Sequence, residues 1–183
     1  MVAAGASAPG ELELVRAFVN TLDVESGEDA LSSPDAFVSW LAAHGLLEPD
    51  GRVSRSQLAR AIAVREALRA LLVENTGGPH DPDAPALLDA AAREARLSLR
   101  FDAAGRSVLD PGAAGVAAAM GRLLAIVAEA MAAGNWSRLK ACRDESCRWA
   151  FYDRARNRSR TWCSMAVCGN RRKARRFRAR HST

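Results

Sequence analysis

The sequence predicts a mainly α-helical chain with one small β-hairpin. A helical body spans residues 10–134, and a small module over 136–180 carries every cysteine. Three observations lead there. Apolar residues recur three and four apart in five stretches of the body, as one buried helix face requires. A single short stretch alternates instead. Cys142, Cys147, Cys163 and Cys168 stand together in the last quarter of the chain. A length of 183 residues suits a medium domain plus a small one, and a hydrophobic fraction of 49% is enough for a real core.

Residues 1–9 are small or flexible and read as a tail. Leu12, Leu14, Val15, Phe18 and Val19 make a first helix that ends near Asn20 or Thr21, and Thr21 to Leu31 reads as a loop. Ser33-Pro34-Asp35 starts a second helix: a capping hydroxyl, a proline in the first turn and an acid beside it. It runs through Phe37, Val38, Trp40 and Leu41 and stops near His44-Gly45. Ser54 or Ser56 opens a longer helix through Leu58, Ile62, Leu68, Leu71 and Leu72, closed by the loop at Asn75-Thr76-Gly77-Gly78-Pro79. A short helix covers Asp83 to Ala95. Leu97 to Phe101 alternates as a strand, Asp102 to Gly105 is a turn, and Ser107 to Leu109 pairs back. The last body helix runs from Ala113 to Ala133. Its residues Val116, Met120, Leu123, Val127 and Met131 fall on one side, and Arg122 and Glu129 interrupt it. That pattern predicts a one-sided helix of the body and no membrane span. No basic start or apolar run opens the sequence as a signal peptide does, so the expected compartment is the cytoplasm.

The net charge of +5 hides a polarity. Residues 138–183 carry 15 Lys and Arg against 3 Asp and Glu, a local +12, whereas residues 1–137 carry 11 against 18, a local −7. The cysteines fall in the basic end, as Cys142-x4-Cys147, fifteen intervening residues, then Cys163-x4-Cys168. Two short-range pairs bring two sulfurs each to one side, and the spacer folds back to complete a tetrahedron, which is how a closed structural zinc site is built. Two disulfides, four separate buried thiols and an open catalytic zinc are the alternatives. A reducing compartment opposes the first. Catalytic zinc usually includes His or a carboxylate, and His44, His80 and His181 all lie outside the pairs. Trp149, Phe151, Tyr152 and Trp162 lie between the pairs, and with Trp136 and Phe177 they are expected to form a mini-core. A module this small needs metal and large rings to be stable. A base-stacking platform is the other use of such rings.

Ser164 is placed to cap a final helix that holds Cys168 early and continues to about Arg180. Its expected inward stripe is Ala166, Val167, Ala174 and Phe177, with Asn170 in the middle. Arg171, Arg175 and Arg178 share one face, with Arg172 and Arg176 on the next and Lys173 and Arg180 beyond. Like charges four apart, as in Arg171/Arg175 and Arg172/Arg176, each cost roughly 0.2–0.5 kcal/mol. A sequence that keeps them points to counter-charge from a partner, and nucleic-acid phosphate is the leading candidate. Arg158 and Arg160 in the spacer are further candidates. The alternatives are a solvated helix face and an acidic protein partner met by a zinc-stapled interaction module.

The segment from Cys142 to Arg178 resembles the CGNR zinc finger family, in the run Cys168-Gly169-Asn170-Arg171 and in Cys142, Cys147, Trp149, Phe151-Tyr152-Asp153, Asn157, Arg160, Trp162-Cys163-Ser164-Met165 and Lys173. Ala155 stands where a serine is expected. The resemblance implies a treble-clef-like finger: a cysteine knuckle, a hairpin, then a helix holding the last ligand. It also implies one structural zinc ion and DNA binding. The body resembles the domain called ABATE, in Phe18-Val19-Asn20-Thr21-Leu22-Asp23, Ser33-Pro34, Trp40-Leu41, Gly45-Leu46 and Arg65-Glu66-Ala67-Leu68-Arg69. That implies a stress-induced transcription regulator. The expectation is thus a bacterial-type, one-component regulator whose body senses a small-molecule effector or forms a homodimer and whose finger binds DNA. Asn20 and Arg65, polar within apolar patterns, are candidate ligand residues, with a satisfied internal hydrogen-bond pair as the simpler reading. No paired carboxylates, His-bearing motif or Gly-rich phosphate loop stands out, so no enzyme is expected.

Overall fold

The computed structural model describes residues 7–181, and of Arg176 and Arg180 the backbone alone. Most of the predicted 1–9 tail lies outside the described residues. Of the rest, Ala8 is buried against the core and its N–H donates to Glu13 at 2.6 Å. The chain is mainly helical with two small antiparallel strand pairs. Helix α1 is Leu12–Val19, α2 Pro34–Ala43, α3 Arg55–Glu74, α4 Ala84–Glu94 and α5 Gly115–Ala132. Strands β1 (Leu97–Phe101) and β2 (Ser107–Pro111) pair with Leu99 opposite Leu109.

The helix starts follow from local chemistry. The Ser33 hydroxyl accepts from Ala36 N at 3.1 Å, with Pro34 in the first turn. Ser54 and Gln57 form a reciprocal capping box at the head of α3. Helix α2 stops at His44-Gly45, where Gly45 takes φ +66°, a left-handed conformation that costs glycine little.

The core is made by the inner faces of α1, α2, α3 and α5, with Val15, Phe18, Phe37, Leu41, Leu68, Leu72 and Leu123 almost fully excluded from water. Helix α5 departs from the one-sided expectation. It is the central strut, buried at Val116, Ala119, Met120, Leu123, Leu124, Ile126 and Val127 and packed by α1, α3, α4 and β2. It is long and apolar enough to cross a membrane, and half of it is buried inside the fold. Being surrounded explains why it is apolar on several sides. Met131, expected on its inner face, is instead 47% exposed.

After Gly134 a 3-10 turn at Trp136–Arg138 leads into β3 (Leu139–Ala141), which pairs with β4 (Ala150–Tyr152). A π-helical turn at Met165–Gly169 then runs into α6 (Asn170–His181). The hairpin does not form a separate core. Trp136, Leu139, Ala141, Ala150 and Tyr152 belong to the same apolar cluster as the body helices. Three polar side chains of the body reach across. Asn20 brackets Ala150, its Nδ2 donating to the carbonyl at 2.9 Å and its Oδ1 accepting the N–H at 2.7 Å. Asn75 donates to the carbonyls of Trp136 and Leu139 at 3.0 and 2.8 Å. Arg69 donates to the carbonyls of Val19 and Arg148 at 2.7 and 3.1 Å.

Candidate metal centre and basic helix

The β3–β4 hairpin carries a knuckle in its turn. Cys142 N donates to Trp149 O at 2.9 Å, so the ladder continues one step and then opens into the loop 143–148. Cys142 and Cys147 end that loop. The chain returns through Thr161, whose carbonyl accepts from Arg143 N at 3.0 Å, and sets Cys163 against the knuckle. Ser164 caps the next turn by accepting from Val167 N at 3.3 Å, and the turn delivers Cys168.

All four thiol sulfurs are buried and lie within 4.8 Å of one another. The Cys147–Cys163 and Cys163–Cys168 sulfur separations are 3.6 and 3.7 Å. A disulfide needs about 2.05 Å, so these are not bonded pairs. A tetrahedron with Zn–S bonds of about 2.3 Å has edges of about 3.8 Å, which these separations match. The thiols also oppose one another's ionisation. Hydrogen bonds from Cys147 and Cys163 hold the Cys142 thiol well below its ordinary range. The Cys142 sulfur pushes Cys147 and Cys163 upward, and burial pushes Cys168 upward. A dication removes that conflict by taking all four as thiolates. With four protein ligands and no open position, the group fits a single structural zinc and leaves no coordination site for a substrate.

Around the cysteines, Phe151 is fully buried and Trp149, Trp162 and Val167 pack half-buried against them. The expected mini-core is therefore smaller than the six aromatics of the region. Trp136 and Tyr152 join the body's core, and Phe177 is 63% exposed, stacked on His181 at 4.1 Å. Beside the site lies a buried ion pair. Lys140 Nζ meets Asp153 Oδ2 at 2.8 Å, with the two side chains 4% and 0% exposed. Burial would raise the Asp153 pKa, but Lys140 and the N–H groups of Ala155 and Arg160 more than offset it and hold the carboxyl below its usual range. Lys140 also donates to the carbonyls of Arg158 and Arg160, which fixes the spacer loop. A Cβ at Gly169 would collide with the thioether of Met165 and touch the Trp162 ring.

Helix α6 projects from this platform. Ala166, Ala174 and Phe177, the expected inward stripe, are exposed, and only Val167 is partly covered. Asn170 is exposed too and returns its amide to Ala166 O at 3.1 Å within its own turn. The inward reading fails because, among the described residues, no element covers this side of the helix.

The candidate nucleic-acid residues separate into two groups. Some are engaged within the protein. Arg175 bonds both carboxylate oxygens of Asp144, at 2.7 and 2.6 Å, and so ties the second turn of α6 to the knuckle. Arg171 pairs with Glu25 of the α1–α2 loop at 2.5 Å. Arg160 donates to the carbonyls of Trp162 and Cys163 and lies 5.1 Å over the Phe151 ring, closing the zinc loop. Arg158 takes a left-handed conformation, φ +51°, and reaches Ser137 at 3.3 Å. Others face outward. Arg172 and Lys173 are exposed and form no ion pair among the described residues. Arg178 is exposed. The Arg176 side chain lies outside the described residues.

Arg172 also lines a polar cleft of about 490 Å³ with Arg143, Arg148, Trp162 and the Gly77–Pro79 loop. Glu145 is its one acid, 3.8 Å from Arg148. Arg143 and Arg148 were not singled out by the spacing argument. Their position inside the knuckle, on the side from which α6 leaves, was the signal available.

Asn20 and Arg65 are both engaged within the protein. Asn20 uses both ends of its amide on Ala150. Arg65, 3% exposed, is held by Asp29 at 2.7 Å, Thr21 at 3.1 Å and Glu66 at 2.8 Å. They are separate structural anchors rather than a mutual pair.

The ABATE family, described as "Putative stress-induced transcription regulator", matches residues 12–134. The CGNR zinc finger matches residues 138–181, which span all four cysteines and α6. No curated protein matches the chain. A match over most of the helical body, with a four-cysteine finger docked on it, means that the chain belongs to the ABATE family and carries a C-terminal CGNR zinc finger.

Proposed function

We propose that the protein is a DNA-binding transcription regulator of the cytoplasm. Zinc fixes the finger, α6 and the knuckle meet the duplex, and the body senses an effector or dimerises. It is not an enzyme on this reading. The observation that carries it is the outward basic face. Arg172 on α6 and Arg143 and Arg148 on the knuckle line one cleft with Trp162, where Glu145 is the one acid, and Lys173 is exposed on the same helix. Arginines in excess over acid on a rigid base suit phosphate contact, and guanidinium forks also suit guanine edges.

Fluorescence anisotropy with labelled duplexes tests it. Log affinity should fall with log salt by about 0.9 per phosphate neutralised, and Arg172→Ala and Arg143→Ala should each lower the slope by about one. Salt-independent binding, or no binding to any duplex, refutes the proposal.

A second reading has its own observation. Met165 and Phe177 are 61% and 63% exposed beside the basic residues, and two α6 arginines already pair with carboxylates. A zinc-stapled module docking on an acidic protein partner would use those features. A partner recovered from nuclease-treated extract, with no duplex protected in footprinting, would favour it.

A further inference from the structure

Helices α3 and α4 do not close fully over α5. A cavity of about 120 Å³ lies between the three. It exists because the facing positions are short: Ala61 and Ala63 from α3, Ala90 and Ala91 from α4, and Ala117 from α5. Methyl groups stand where helix packing ordinarily interdigitates larger side chains. Leu87 of α4 lines the same space yet remains 45% exposed, so an apolar side chain faces a gap and not a partner. Val116 and Met120 form the floor.

The rim is polar and electrically balanced. Arg60 and Glu94 pair across it at 3.2 Å and cancel one another's charge. Gln57 is the third rim group. Its carbonyl oxygen accepts the Ser54 N–H at 2.8 Å in the capping box, which leaves its amide NH2 as a donor at the cavity mouth. An apolar cavity of about 150 Å³ in another protein is known to stay dry and bind benzene, so this one has the volume of a single ring. A charged occupant would face desolvation without a counter-ion in the walls.

We propose that the α3–α4–α5 cavity binds a neutral, mainly apolar molecule of one-ring size, held by the alanine-lined walls and by one hydrogen bond from Gln57 to an acceptor on its edge. Its regulatory meaning rests on the reading of the body as a sensor, whereas the binding itself does not. The walls of the cavity also carry the finger. Helix α3 ends in Asn75, which holds Trp136 and Leu139, and α5 leads directly into the Trp136 turn. An occupant that resets the α3–α5 spacing therefore acts on the two elements that orient the finger.

The experiment uses the full-length, zinc-loaded protein with toluene and anisole as probes, read by calorimetric titration and thermal shift. Both compounds should bind. Ala90→Leu fills the cavity from an exposed position and should weaken both at least tenfold with the helical signal unchanged. Gln57→Glu keeps the cap acceptor but removes the donor, and should weaken anisole several-fold while leaving toluene unchanged. No binding of either compound, or binding that Ala90→Leu leaves intact, overturns the site while the DNA reading stands. Binding with no change in duplex affinity supports the site and overturns the sensor reading.

Discussion

Removing the zinc should melt one definable part of this protein. A small finger stapled by its zinc alone would unfold whole on metal loss and leave the body intact. The shared core moves that boundary. The strands β3 and β4 are packed into the body's cluster and bonded to it through Asn20 and Asn75, neither of which contacts a cysteine. Helix α6 is not packed into that cluster: its apolar residues are exposed, and among the described residues its attachments include the Cys168 turn, the Asp144–Arg175 pair and the half-exposed Glu25–Arg171 pair. Asp144 itself sits in the zinc knuckle. A twelve-residue helix is marginal in water even with favourable composition. This one adds like-charge pairs four apart, each worth roughly 0.2–0.5 kcal/mol against it. Chelation, or Cys168→Ser, should therefore release α6 and little else. Helix α6 holds about one-seventh of the α-helical residues in the described elements, so the far-UV circular dichroism signal should fall by about that fraction. Amide exchange should stay slow in α1, α3, α5 and the β3–β4 hairpin and become fast across 163–181, and DNA affinity should be lost with it. A loss of more than half the helical signal would refute the independence of the body. Slow exchange retained across α6 in metal-free protein would refute the claim that zinc holds the helix.

Three other outcomes follow from single contacts. Asn20→Ala leaves the fully buried Ala150 peptide groups without their partner and should cost about 1–3 kcal/mol for each unsatisfied group, measured by urea denaturation of the zinc-loaded protein. Glu25→Ala frees Arg171 at a solvent-screened site, so duplex affinity at low salt should rise by a few-fold at most in an anisotropy titration. Asp29 supplies the pH dependence. Burial would raise its pKa, and Arg65 with the Leu31 N–H reverses this and lowers it, so the carboxylate is favoured in the folded state. Its contribution is complete above the unfolded value of about 3.9 and disappears as pH falls through the lower folded value. Urea midpoints taken from pH 6 down to pH 2 should fall less steeply for Asp29→Asn than for the parent protein, and parallel curves would count against the assignment.

The features legible in the sequence are those encoded within a few residues. Ser33-Pro34 sets a helix start by a hydroxyl cap that bonds three residues away, and of the two candidates for the next start, Ser54 and Ser56, it is Ser54 that makes the same bond. The cysteine pairs name their own geometry because each loop is short. The reading fails where a side chain's environment comes from elsewhere. A stripe of Ala166, Val167, Ala174 and Phe177 has the period of a buried face, but period alone cannot say whether a neighbour exists to cover it. Phe177 finds His181 of its own helix instead. Asn20 and Arg65 likewise looked out of place because their partners are 130 and 36 positions away. The same distance in sequence hid the role of Asp144, whose partner Arg175 comes from the far side of the zinc site.

The way the body holds the finger bears on how a signal could pass between them. Asn20, Asn75 and Arg69 all bond main-chain groups of the finger, and none of these bonds reads a finger side chain. Main-chain recognition is indifferent to which residues the knuckle and spacer carry. The basic surface is then free to vary in sequence without loosening the dock. Position is another matter. Two donors from Asn75 and a two-point bracket from Asn20 fix the hairpin in register, since a shift of one residue would turn Ala150 and its buried neighbours to the opposite face. A rigid dock of this kind leaves the finger no hinge of its own at the β3–β4 base. Among the described contacts, a change that the body imposes on α6 can come as a displacement of α3 against α5, or through the Glu25–Arg171 contact that joins the α1–α2 loop directly to the helix.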